Sequence, residues 1–161
     1  MMNRHALHRY LDVVDRALRY FTVGLTLVML VVLAMQVASR YILGQALSWS
    51  EELALLGFAW IIAISTALGA RHGLHARVSV LPDSLPPLGR EMLERLIALL
   101  VAALGVALIR SGISYVQETR GMVSAALQYP LELLHAVAPG FGVLITLFGL
   151  ERAVLGRGER G

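Results

Sequence analysis

The sequence predicts an all-α, polytopic membrane protein. It has four transmembrane helices, preceded by a short amphipathic helix in the membrane interface, with both termini in the cytoplasm. Three observations carry this prediction. The 161 residues are 57% hydrophobic, with a mean hydropathy of +0.69, well above a soluble domain of this size. Four stretches are nearly free of charge: Phe21–Ser39, Leu53–Ala70, Leu96–Gln117 (interrupted by Arg110) and Leu133–Leu150. Each approaches the roughly 20 helical residues that cross a hydrocarbon core of about 30 Å. No alternating strand pattern competes, and a lipid-exposed backbone satisfies itself only in helices or closed barrels. The third observation is the distribution of positive charge. Eleven arginines flank one side of the spans and three, Arg40, Arg110 and Arg120, belong to the other, which places the arginine-rich side in the cytoplasm.

The elements follow in chain order, as one membrane domain over 1–161. Leu7, Leu11, Val14, Leu18 and Phe21 recur every three or four residues, with His8, Asp12, Asp15, Arg16 and Arg19 between them. That pattern is an amphipathic helix lying on the bilayer surface; a plain extension of the first span is the other reading. The first span covers about 21–43 and is too long for a signal-peptide core, so it reads as an uncleaved anchor. An outer loop over 44–49 leads to a second span over 50–71. A cytoplasmic loop over 72–91 holds three of the five prolines. The third span covers 92–115, an outer loop 116–130, and the last span 131–152, where Pro139 and Gly140 suggest a kink.

Little in this sequence does chemistry. There is no cysteine, so thiol and disulfide chemistry are excluded. No glycine loop for phosphate and no nucleophile–base pattern is present. His72 and His75, like His5 and His8, are three apart, but nothing completes a metal site of four ligands. His135, one turn after Glu132, reads as an interfacial residue. Neither a cofactor nor a metal is implied. The pI of about 9.8 comes from dispersed arginines flanking apolar runs, which suits a lipid bilayer and not nucleic acid. The mid-sections of the first, second and fourth spans carry no ionisable group. Arg110, the one charge well inside a span, lies toward the outer end within snorkelling reach, whereas a transporter working alone places ionisable groups at mid-membrane. Small residues repeat every four positions instead: Ala59, Ala63 and Ala67; Ala103, Ala107 and Ser111; Ala138, Gly142 and Thr146. They permit close helix packing, within the chain or against a partner.

The stretch LSWSEEL, residues 47–53, opens the second span. Ser48 and Glu51 form a capping-box pattern, both acids stand at the positive end of the helix dipole, and Trp49 suits the headgroup belt. Glu52 is turned toward the interior and is expected to pair with Arg40 or Arg110.

The run QVASRYILGQALSWSEELA resembles the signature of the small, DctQ-like membrane subunit of tripartite ATP-independent periplasmic (TRAP) transporters, through Arg40, Tyr41, Trp49, Glu51 and Glu52. The following helix, FAWIIAISTALGA, is similar to the family's second helix. GLHARVSV resembles a family loop through Gly73, His75 and Val78, but departs at Ala76 and Ser79. ALQYPLELLHAVAPGFG matches through Pro130, Pro139 and Gly140. The resemblance implies a small scaffold subunit, not an enzyme, in a bacterial inner membrane. Its implied partners are a large polytopic subunit that moves the substrate and a periplasmic solute-binding protein that delivers it. Uptake of an organic acid such as a carboxylate would be driven by an ion gradient. Gln45, Glu118, Arg120 and Gln128 would then be candidate contacts for the binding protein. Two other classes remain: a stand-alone homo-oligomeric transporter, and an assembly subunit of another membrane complex.

Overall fold

The computed structural model describes residues 4–45, 47–72 and 86–155. The loop residues Gly73, His75, Ala76, Val78 and Ser79 lie outside them, as do the side chains of His5 and His8. The described chain is helical: α1 (Arg4–Ala38), a π-helical turn (Ser39–Leu43), α2 (Ser48–His72), α3 (Pro87–Glu118), the single turn α4 (Glu132–His135) and α5 (Val137–Leu155). Four segments are long and apolar enough to cross a membrane, the last combining α4 and α5.

The N-terminal segment is not a separate interfacial helix. It runs without a break into the first span as one helix of 35 residues, about 52 Å at 1.5 Å per residue, which is longer than a hydrocarbon core is thick. Part of the apolar stripe expected on a lipid surface turns onto the protein: Leu11 is buried and Leu18 packs on the core of Ala67, Ile145 and Phe148, while Phe21 stays exposed. Packing removes Leu11 and Leu18 from water as effectively as lipid would.

α1 ends by widening into the π-helical turn and stops at Gly44, whose φ of 66° is left-handed; its N–H donates to the Ser39 carbonyl. The last span breaks at Ala136. Pro139 has no N–H to offer the His135 carbonyl, one turn earlier, so the helix restarts at Val137.

The spans form an open row, with backbones neighbouring in the order α1–α2–α5–α3. The tightest seam joins α3 and α5. Gly105 lies against Gly142 and Thr146, Gly112 against Pro139, and Gly149 against Ala98 and Ala102. A methyl group at Gly105 or Gly142 would strike the facing backbone, so the absent side chains let the helices touch. Of the small stripes, Gly142 and Thr146 belong to this seam, and Ala103, Ala107 and Ser111 are exposed. Between α1 and α2, Gly57 makes room for the Met29 thioether.

Candidate functional site

Two polar constructions mark the two ends of the row. At the arginine-rich end, Arg71 closes α2 and reaches three acids on two other helices. Its Nε and Nη2 donate to the two oxygens of Glu151 on α5, at 2.9 and 3.0 Å. Nη2 also donates to Asp12 at 2.7 Å, and Nη1 lies 3.2 Å from Asp15. The Arg71 side chain is only 3% exposed, against 8% for Asp15 and 7% for Glu151. Asp15 is further held by Arg19 at 2.9 Å and by His72 Nε2 at 2.8 Å. The guanidinium stacks 5.4 Å from the centre of the Phe148 ring. A buried charge persists only when fully paired, and this fork spends its donors on both oxygens of one acid and one oxygen of each of the others. It ties α1, α2 and α5 together.

Sequence reasoning missed this cluster. Asp12, Asp15 and Arg19 looked like the wet face of a surface helix, and Arg71 like one more flanking arginine. No pattern in the sequence singles the cluster out: seven of the eleven acids stand on the arginine-rich side, Asp12, Asp15 and Glu151 among them.

At the other end, the corner between α1 and α2 is pinned to the loop over 119–131. Glu52 does not meet an arginine: its two oxygens accept the backbone N–H groups of Ala126 and Leu127 at 2.8 and 2.9 Å, and among the described residues no cation lies within ion-pair distance of it. The loop's own backbone donors, left unpaired by its turn, are what the carboxylate satisfies. The loop closes on itself through a bridge between Val123 and Pro130, with the Leu131 N–H donating to the Met122 carbonyl at 2.9 Å and the Ser124 N–H to the Tyr129 carbonyl at 3.0 Å. Burial, and secondarily the Glu52 charge, push the Tyr129 phenol above its ordinary pKa. Glu132 accepts the Gly121 N–H at 3.0 Å, His135 shares a 2.8 Å hydrogen bond with Thr119 and stacks near Tyr115, and Trp60 donates to the Leu133 carbonyl at 3.1 Å.

The capping box does not form. Ser48 is already the first helical residue and exposed; it is Ser50 whose hydroxyl donates back to the Leu47 carbonyl, at 2.6 Å. Glu51 receives Gln36 from α1 at 3.4 Å instead of reaching back. Arg40 and Tyr41 are exposed on the π-helical turn, Trp49 is half-buried, and Arg110 is exposed on α3. Gln45 is exposed, its carbonyl accepting from the Ser39 hydroxyl at 3.0 Å. Glu118 ends α3, Arg120 follows on the surface, and Gln128 occupies a left-handed turn position with φ 58°. These four line the same end of the row as Glu52. No group of three His, Asp or Glu side chains among the described residues is placed to hold a metal ion.

Four spanning helices, polar pins at their ends and an apolar interior between them define a multi-pass membrane protein whose polar side chains hold the helices in place. The sequence matches, over residues 6–157, the family of tripartite ATP-independent periplasmic transporters, DctQ component. The chain belongs to this family: it is a TRAP transporter small permease subunit, a transport protein and not an enzyme. It is 30% identical over 112 residues to the ectoine TRAP transporter small permease protein of Halomonas elongata, covering 68% of this chain and 58% of that one. It is 29% identical over 142 residues to the sialic acid TRAP transporter small permease protein of Vibrio cholerae, covering 84% and 82% respectively.

Proposed function

We propose that this chain braces the large transport subunit of a TRAP-type transporter and offers part of the docking face for a solute-binding protein. The observation that supports the bracing role is the open row. Its helices bury little of their apolar surface against one another, and Phe21, Leu27, Val31, Leu55, Phe58 and Leu100 are all exposed. Its buried charges, Arg71, Asp15 and Glu151, sit together at one end and not along a path through the middle. Such a body supports a neighbour and carries no cargo of its own.

The arginine-rich end lies in the cytoplasm of a bacterial inner-membrane protein, and the pinned loop over 119–131 faces the periplasm. Glu52 orders that loop, so the polar groups of Gln45, Glu118, Arg120 and Gln128 are presented on a fixed surface. The substrate is an organic acid taken up along an ion gradient; a relative named for sialic acid supports that class. Exchange of Glu118, Arg120 and Gln128 for alanine is expected to weaken uptake in proteoliposomes supplied with the binding protein, while the two membrane subunits still copurify. Unchanged uptake at limiting binding-protein concentration would remove the docking role.

A further inference from the structure

We propose that Arg110 and the small residues around it, Ala103, Ala107, Ser111 and Ser114, seat a transmembrane helix of the large subunit that carries a carboxylate opposite the guanidinium. This rests on the reading that the chain works beside such a subunit, and goes beyond it by naming the face and the pairing.

The first support is depth. Arg110 stands eight residues before Glu118, the last residue of α3, so roughly 12 Å along the axis from that end. The α3–α5 seam fixes its level independently. Gly112 faces Pro139, and the Trp60 ring tip reaches Gly140, so Arg110 is at the height of Trp60. That residue lies between Glu52, pinned to the loop at one end, and Arg71, in the charge cluster at the other. Arg110 is therefore well inside the span, deeper than its place in the sequence suggests. Headgroup phosphates are at the ends of the helix, beyond easy reach of a side chain that snorkels.

The second support is its isolation. The Arg110 side chain is exposed and makes no hydrogen bond or ion pair with the described residues; only its backbone carbonyl is used, by the Ser114 hydroxyl. A charge at this depth facing lipid is unfavourable, and such residues turn to protein and pair. Its surroundings fit a protein neighbour. On α1, most exposed positions of the span are large, among them Phe21, Leu27, Val28, Leu30 and Val31, with Gly24, Ala34 and Ala38 between them. Beside Arg110, on the side turned from α5, the exposed Ala103, Ala107, Ser111 and Ser114 stand next to Val106 and Ile113, and over the small residues another helix can approach closely. A second copy of this chain is disfavoured, because a twofold interface on this face would set Arg110 against Arg110.

The test uses the full chain coexpressed with its large subunit. Arg110→Glu and Ala107→Phe are each expected to lower copurification at least tenfold, while thermal unfolding of the small subunit purified alone stays as in the wild type. The chain has no cysteine, so Ala107→Cys adds a single thiol. It should crosslink to a cysteine at mid-membrane depth on one helix of the large subunit, and Leu30→Cys should not. Wild-type copurification of the Arg110 and Ala107 variants, or crosslinking from Leu30→Cys instead, overturns the face and leaves the partnership intact. Crosslinking of Ala107→Cys to its own copy overturns it in favour of a homo-oligomer. Failure of the wild type to copurify removes the partnership, and the proposal with it.

Discussion

Replacing Arg71 by alanine removes the one cation shared by Asp12, Asp15 and Glu151. Glu151 loses the two Arg71 donors, at 2.9 and 3.0 Å, in a site where its side chain is only 7% exposed. Asp15 keeps Arg19 and His72. Asp12 is largely exposed and recovers water. The cost thus falls mainly on Glu151, a buried carboxylate that loses the guanidinium fork, and breaking a buried pair runs to about 3–5 kcal/mol. Lysine in place of Arg71 keeps the charge but not the fork. Losing one or two charge-assisted hydrogen bonds predicts about 2–4 kcal/mol. The double change Arg71→Leu with Glu151→Leu removes both members and leaves Asp15 its other two partners, so it should recover at least half of the single-variant loss. The assay is equilibrium unfolding in detergent micelles followed by tryptophan fluorescence, since Trp60 sits at the joint between α2 and the last span. Arg16→Ala, at an exposed position, is the control. An Arg71→Ala protein within about 1 kcal/mol of that control, or a double variant no better than the sum of its singles, would refute the view that this cluster locks three helices.

Three further outcomes are expected. Glu52→Gln should raise amide hydrogen exchange at Ala126 and Leu127 while leaving the spans protected, because only the loop depends on that carboxylate; equal protection in both proteins would sink the pinning role. Gly142→Val forces a side chain onto the backbone of Gly105 and Ile109 and should cost about 1–3 kcal/mol by overpacking, whereas Ala103→Val on the outward face should leave unfolding of the isolated subunit unchanged. Trp60→Phe deletes the hydrogen bond to the Leu133 carbonyl and should lower stability by about 0.5–1.5 kcal/mol, read by thermal unfolding.

What was legible in the sequence follows from solvent physics alone. A run such as LTLVMLVVLAMQ has no stable state outside lipid, so helical spans are set by composition without reference to any neighbour. The family could be read from the Arg40 to Glu52 run for a similar reason: a corner between two helices depends on residues close together in the chain. Which residues meet across helices was decided only by tertiary packing. Glu52 was correctly singled out as a carboxylate in need of a partner. Its position, however, is equally consistent with an arginine and with backbone donors some 74 residues away, and only the fold of the loop over 119–131 chose the second. Arg71 and Glu151, 80 residues apart, carry no mark of each other in the sequence. Helical periodicity shows which face of α3 is small but not which face meets α5. The register of Gly105, Gly112, Gly142 and Gly149 settled that, because the two backbones approach where at least one helix offers a glycine. The same register set the depth of Arg110 by tying α3 to helices whose ends are marked by charge.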